Sequence, residues 1–454
     1  MLRKNDVFEM TCDAFGQDAQ GVCRHEGMAV FVPGLLPGER ASVRIVKPEK
    51  RYAFGRIEQL LEKSPDRAEP FCPVYKRCGG CSCQHMTYET SLRFKREQVQ
   101  ALLERVGGLT IEVPPVIGME SPFAYRNKGA YPVAQGKDGP ACGFFAPRSH
   151  DLIPLPAQGC RIQGEDSHAA AQAVLRWMKA SGAAAYDEAS GRGLVRHIMT
   201  RCTTDGQLMV VLVVTRPQIP QQDALISQLR RAVPGLASVC LSINSRRTNV
   251  ILGTDIRVLW GKDVMEDTLH GLRFCVSPLS FFQVNPVQTE KLYQLALDFA
   301  QLSGRETVVD AYCGAGTISL MLAQKAGKVI GIEIVPEAID NAKENAARNG
   351  AGNAEFLVGA TEELLPQLVA DGLRPDVIVI DPPRKGCESA VLEAIIAAQP
   401  ERVVYVSCGA PTLARDAKIL CEGGYAAKEV RCVDMFCWTG AVETVMLFER
   451  KGYS

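Results

Sequence analysis

Three groups of residues in this chain have types and spacings that chemistry can use. Cys408 stands in Tyr405-Val-Ser-Cys-Gly-Ala-Pro-Thr-Leu-Ala-Arg-Asp, just past the apolar run Arg402-Val-Val-Tyr-Val-Ser. A thiol beyond the end of a buried strand faces a cleft rather than a core, and its thiolate is a nucleophile. The competing reading is one more small core residue, because free cysteine is commonly buried and the chain has 17 of them. Cys72, Cys78 and Cys81 form C-x5-C-x2-C, with Gly79 and Gly80 between the last pair. Three close thiols make a compact metal loop in need of one more ligand. Four cysteines hold either zinc or an iron–sulfur cluster, and spacing does not choose between them. The third group is Asp310-Ala-Tyr-Cys-Gly-Ala-Gly-Thr, between a strand and a helix. Its glycines let the backbone approach a ligand closely, but the full G-x-G-x-x-G is absent, which weighs against a dinucleotide. Glu333 ends the next strand, where a carboxylate can grip two ribose hydroxyls. Asp381-Pro-Pro-Arg places another carboxylate, followed by two stiff residues, at the tip of a later strand.

These residues need a scaffold, and the chain supplies one in three parts. From about residue 285 short apolar strands alternate with helices: Thr307-Val-Val-Asp, Val329-Ile-Gly-Ile-Glu, Asp376-Val-Ile-Val-Ile-Asp and Arg402-Val-Val-Tyr-Val-Ser, with helices over Ile318–Lys325 and Pro336–Asn349. Continuously apolar strands between helices predict a doubly wound, Rossmann-like α/β domain over 271–454. Residues 61–270 read as a central β-rich domain carrying the cysteine loop, a helix near 87–106 and one amphipathic helix near 165–181. Residues 1–60 alternate short β-type runs with turns and predict a small β-barrel.

The chain has 454 residues, 46% of them hydrophobic, with 51 basic and 51 acidic side chains. Residues 1–265 carry 34 Lys and Arg against 26 Asp and Glu, whereas 266–454 carry 17 against 25. A basic front half on an acidic back half suits a polyanion-binding module joined to an enzyme. The N-terminus has no apolar leader and no stretch reaches the length of a membrane span, so a soluble cytoplasmic protein is expected. In that compartment 17 cysteines are not a disulfide framework.

The glycine loop, Glu333 and Asp381-Pro-Pro together resemble the class I methyltransferases. Over nearly its whole length the chain resembles the uracil-C5 RNA methyltransferase family. The matching pieces are Ser280-Phe-Phe-Gln-Val-Asn, Asp310-Ala-Tyr-Cys-Gly-Ala-Gly-Thr, Asp381-Pro-Pro-Arg-Lys-Gly, Ser407-Cys-Gly-Ala-Pro-Thr-Leu-Ala-Arg-Asp and Val442-Glu-Thr-Val. The resemblance implies that Gln283, Tyr312, Glu333 and Asp381 hold S-adenosylmethionine, that Cys408 is the nucleophile and that Glu443 is the general base. It implies a [4Fe–4S] cluster on Cys72, Cys78 and Cys81, with the fourth ligand far downstream. Cys160 fits that place, and Cys83 is the nearer alternative. The N-terminal part resembles a TRAM domain, implying that Lys47, Lys50, Arg51 and Arg56 meet RNA. Tyr125-Arg-Asn-Lys also matches the family, so Arg126 and Lys128 are expected to contact phosphate or the flipped base. Phe281 or Phe282 could stack on a base, and both fit a core role equally well.

The implied chemistry accounts for the residue types. Uracil C5 becomes nucleophilic only after a thiolate adds at C6, and a base must later remove the C5 proton. The related cytosine-C5 enzymes carry a Cys directly after Asp-x-Pro, where Arg384 stands here; Cys387 is read as structural. Uracil is therefore expected. Among members of the resembling family a barrel together with the cluster implies 23S ribosomal RNA as substrate, and no obligate protein partner is expected. Transfer RNA, or a catalytically silent RNA-binding protein, is the alternative. Two departures are plain: Ala441 stands where the family usually has His beside the base, and Cys437 where Pro is common.

Overall fold

A computed structural model describes residues 2–452. The N-terminal part closes into a five-stranded barrel in the order Val7–Phe15, Gln20–His25, Met28–Pro33, Tyr52–Glu62, Arg40–Pro48. Alternation builds it: Val30, Val32, Val43, Ile45 and Ala53 point inward and are fully buried. Glu39, also fully buried, pairs with Arg67 and so fastens the barrel to the segment that follows.

The central part is a seven-stranded sheet running Asp255–Gly261, Leu236–Ile243, Leu208–Val214, Val195–Cys202, Lys128–Gly136, Gly139–Phe145, Leu152–Pro154. One face packs on the helix Glu165–Ser181, where the residues 165–181 predict it. A second helix, Gln222–Ala232, corrects the expectation of one helix in this region. Only Leu225 and Leu229 of its eleven residues are buried, too short a stripe to stand out from the neighbouring strands.

The C-terminal sheet runs Ala354–Val358, Lys328–Glu333, Thr307–Ala311, Val377–Ile380, Arg402–Ser407, Glu443–Arg450, Tyr425–Val433. The first five strands are parallel and the last pair is antiparallel, with helices covering both faces. Chain order reverses between Thr307–Ala311 and Val377–Ile380, so a ligand crevice opens at the carboxyl ends of those strands. Two pieces from the central stretch of the sequence pack on this sheet. The helix Tyr88–Arg105, capped by Thr87, sends Val99 and Leu103 into the core on one face of this sheet. The hairpin Met265–Leu269 and Leu272–Val276 crosses position 270 and packs Leu269, Leu272 and Phe274 on the other face. No helix among the described residues is long and apolar enough to cross a membrane.

Candidate active site

The strand ends of the C-terminal sheet open into a cleft of ≈ 710 Å³ lined by Gln283, Tyr312, Glu333, Asp381, Cys408 and Glu443. All six positions singled out in the sequence for cofactor and chemistry therefore meet in one place. A smaller hollow, shared through Gln283, Tyr312 and Asp381, runs beneath it to Tyr293, Asp310 and Thr317.

Each side chain is placed by its element. Tyr312 takes a left-handed φ of 67°, and Gly314 and Gly316 take 55° and 79°, so the chain turns sharply out of its strand before the helix Thr317–Ala323. Glu333 closes that turn: its carboxylate accepts from Gly314 N at 3.2 Å and from Val335 N at 3.0 Å. Gln283 is held through its backbone, where its carbonyl accepts from Asn127 Nδ2 at 2.9 Å. Asn285 caps the helix Pro286–Ala300 and donates to Met435 O at 3.1 Å.

Cys408 follows the strand Arg402–Ser407 and precedes the helix Ala410–Glu422. In the antiparallel ladder with Glu443–Arg450, Ser407 pairs with Thr444, which sets Cys408 and Glu443 at the same mouth of the sheet. Burial, then the charges of Glu443 and Asp381, push the Cys408 thiol up, while Arg384 pulls it down. The helix that begins beyond Gly409 adds a further pull toward the thiolate. Burial pushes Glu443 up to about 7, against Arg384. Asp381 is raised well above the usual carboxylate range by burial, Glu443 and Asp310. Asp310 is itself pushed up to about 7 by burial, although Ser319 donates to it, and its other oxygen has no partner. Three carboxyls at this cleft, with Asp310 and Glu443 buried and Asp381 half-buried, form a site that favours a cation. Arg384 was visible as part of Asp-Pro-Pro-Arg, but its reach over both Cys408 and Glu443 was not.

The turn leading to Glu443 is tightly held. Lys95 and Asp434 are both fully buried and paired, and Tyr88 Oη donates to the second Asp434 oxygen at 2.7 Å. Tyr125 Oη donates to Cys437 O at 3.1 Å and Trp438 Nε1 to Pro122 O at 2.8 Å. Cys437, where Pro is common in the resembling family, is thus buried and packed, and Ala441 leaves Glu443 without a histidine neighbour at that place.

Cys72, Cys78, Cys81 and Cys160 line a separate cavity of ≈ 360 Å³, together with Arg126 and Lys128. Lys128 is pushed down to about 8 by burial, with Arg201 and Arg126 adding repulsion. Cys83 does not line it; it is fully buried beside Leu36, Met86 and Phe94. Among the described residues no group of three or more His, Cys, Asp or Glu is arranged to hold a metal ion. The loop is tied to the active-site turn, because Ser82 N and Cys83 N both donate to Trp438 O, at 2.9 and 3.0 Å. Lys47, Lys50 and Arg51 lie apart from both cavities, exposed on the barrel. Lys47 pairs with Glu49 at 2.7 Å, and Arg56 pairs with Glu58 at 2.9 Å.

The sequence pattern of the family described as tRNA (Uracil-5-)-methyltransferase matches residues 88–451, and that of the TRAM domain matches residues 4–57. An uncharacterized RNA methyltransferase of Halalkalibacterium halodurans is 47% identical over 452 residues, covering 99% of this chain and 98% of the relative. One of Listeria innocua is also 47% identical, covering 99% of each chain. Among solved structures, the Pyrococcus abyssi tRNA (uracil-54, C5)-methyltransferase in complex with S-adenosyl-L-homocysteine superposes with a TM-score of 0.78 at 26% identity, covering 97% of this chain and 100% of that one.

Proposed function

The chain belongs to the tRNA (uracil-5-)-methyltransferase family, and from that premise we propose that its cleft methylates a specific uridine at C5 through a covalent adduct on Cys408. The observation that carries this reading is the convergence of Cys408 and Glu443 with Gln283, Tyr312, Glu333 and Asp381 on one cleft.

S-adenosylmethionine is the methyl donor of this family, and the site suits it. Glu333, at a strand end beside the glycine turn, stands where ribose hydroxyls bind, and the carboxyls of Asp381 and Asp310 favour its positive groups. The uridine must leave its stack to reach the cleft floor. Cys408 Sγ, as the thiolate, forms a bond to C6, and the C5–C6 π electrons move toward O4 as an enolate. C5 then takes the methyl carbon, and the donor sulfur keeps the electron pair of the broken bond. Glu443 removes the proton from C5, the C5–C6 double bond re-forms, and the Cys408–C6 bond breaks with its electrons returning to sulfur. Burial is what gives Glu443 the basicity for this near neutral pH.

We further propose that Cys72, Cys78, Cys81 and Cys160, which line one cavity although they are not drawn together into a ligand set, would close on a [4Fe–4S] cluster. When bound, the cluster would brace the loop whose Ser82 and Cys83 hold Trp438. Barrel and four-cysteine cavity together favour 23S ribosomal RNA as the substrate. A tRNA uridine is the second reading, favoured by the Pyrococcus abyssi enzyme, which superposes over its full length.

Purified protein incubated with labelled S-adenosylmethionine and RNA from a deletion strain should yield 5-methyluridine in the 23S fraction. Label in the tRNA fraction would move the target, and no 5-methyluridine in either would refute the activity.

A further inference from the structure

The reaction as written gives no part to Trp438, yet this is the most constrained residue of the turn that leads into Glu443. Its backbone takes a left-handed φ of 66°. A bulky side chain is strained in that conformation, so its neighbours must hold it there.

The contacts that hold it come from the front of the chain. Ser82 N and Cys83 N donate to Trp438 O, at 2.9 and 3.0 Å, and Ser82 Oγ accepts from Gly440 N at 3.1 Å. Trp438 Nε1 donates to Pro122 O, and Tyr125 Oη donates to Cys437 O one residue earlier. The rings of Phe71, Tyr88 and Phe123 surround the indole, with centroids 5.1, 5.4 and 5.6 Å away. Arg161 closes the stack from beyond, 5.1 Å from the Phe71 ring and 4.2 Å from the Phe123 ring. Phe71, Ser82 and Arg161 adjoin Cys72, Cys81 and Cys160 in sequence, and Cys81 and Cys160 pack in the same cluster as Trp438. The cysteine loop and the active-site turn therefore meet at this one side chain.

Glu443 needs such a brace. Its backbone pairs with Val433, but the segment 434–442 between them is a loop, and Ala441 and Val442 carry no polar side chain to orient it. A general base works only within hydrogen-bond reach of its proton, and a displacement of about 1 Å can slow a reaction on the order of a hundredfold. A ring that merely filled space would need neither the left-handed backbone nor the hydrogen bonds from Ser82 and Cys83. We propose that Trp438 is a positioning residue for Glu443: clamped by the cysteine loop, it fixes the turn 434–442 and with it the carboxylate that takes the C5 proton. The assignment rests on the methylation reading above and deepens it, making the base depend on a loop outside the methyltransferase sheet.

The test compares full-length Trp438→Ala, Trp438→Phe and Ser82→Ala with the wild type in a single turnover, using labelled S-adenosylmethionine and RNA from a deletion strain. In Trp438→Ala, release of 5-methyluridine should slow by about a hundredfold, while affinity for S-adenosylhomocysteine stays within about twofold. A labelled protein–RNA species that survives denaturation should accumulate, because addition and methyl transfer proceed and only proton removal is impaired. Trp438→Phe keeps a ring in the stack and should recover most of the rate. In the RNA-free protein, amide exchange should quicken across 434–442 in Trp438→Ala and in Ser82→Ala, and stay at the wild-type rate across the strand Arg402–Ser407.

Wild-type release in Trp438→Ala overturns the proposal, as does unchanged exchange across 434–442. So does a joint loss of S-adenosylhomocysteine affinity and covalent species, which marks a general structural role. If Trp438→Ala does not fold, Ser82→Ala must show the same build-up of covalent species, and its absence overturns the proposal. If neither the wild type nor Glu443→Gln gives 5-methyluridine or a covalent species while 434–442 still exchanges faster in Trp438→Ala, the clamp stands and the methylation reading falls.

Discussion

Cys408 and Glu443 leave neighbouring antiparallel strands at the same mouth of the sheet, one step beyond the paired Ser407 and Thr444. Backbone pairing therefore sets the distance between the proposed nucleophile and the proposed base. The turn that delivers Glu443 is fixed separately by Asp434, Cys437 and Trp438. In the proposed reaction the thiol and the carboxyl approach one uracil ring from two elements that cannot slide independently.

Cys408→Ser should abolish 5-methyluridine formation while leaving the affinity for S-adenosylhomocysteine within about twofold, because a hydroxyl is too weak a nucleophile at neutral pH. Isothermal titration alongside a methylation assay checks this. Residual turnover above background would remove Cys408 from the reaction.

Cofactor binding should release protons. Asp381 is raised well above the usual carboxylate range, and Asp310 is pushed up to about 7, chiefly by burial. A sulfonium and an ammonium favour the charged carboxylates, so their pKa values fall on binding. Affinity for S-adenosylmethionine should then rise with pH up to the free-protein pKa values and level off above them. Calorimetry in two buffers of different ionisation enthalpy measures the released protons; identical heats would contradict the assignment.

Lys95→Met should destabilise the protein by about 3–5 kcal/mol, the usual cost of leaving a buried charge unpaired, because Lys95 and Asp434 are both fully buried. The double variant Lys95→Met/Asp434→Asn should lose less than the sum of the singles. Urea unfolding followed by tryptophan fluorescence reads both, since Trp438 lies in this turn.

Cys160→Ala should strip iron from anaerobically purified protein, whereas Cys83→Ala should retain it, because only Cys160 shares the cavity with Cys72, Cys78 and Cys81. Absorbance and iron analysis decide. Full iron in Cys160→Ala would require another fourth ligand, and zinc in its place would replace the cluster.

Much of the site could be read along the chain because its residues sit at the ends of locally recognisable strands. Glu333, Asp381 and Cys408 each follow an apolar run, and that position alone turns them toward a cleft. What stayed hidden depends on pairing between distant segments. Arg384 bears on Glu443 across 59 positions of sequence, a relation that appears only when their strands share a sheet. Tyr88–Arg105 shows its amphipathic stripe plainly, yet nothing in that stripe says that it packs on the C-terminal sheet. In the barrel the rings of Phe31 and Phe54 meet only through the parallel pairing of their strands, which local pattern cannot supply.

The covalent step is open to one direct measurement. Glu443→Gln, incubated with substrate RNA and S-adenosylmethionine, should accumulate a protein–RNA species that survives denaturation, because methyl transfer proceeds and the C5 proton then has no base to take it. Mass analysis should find the methylated uridine joined through C6 to Cys408. A denatured sample containing only free protein and RNA, with Cys408 unmodified, would contradict the roles given to both residues.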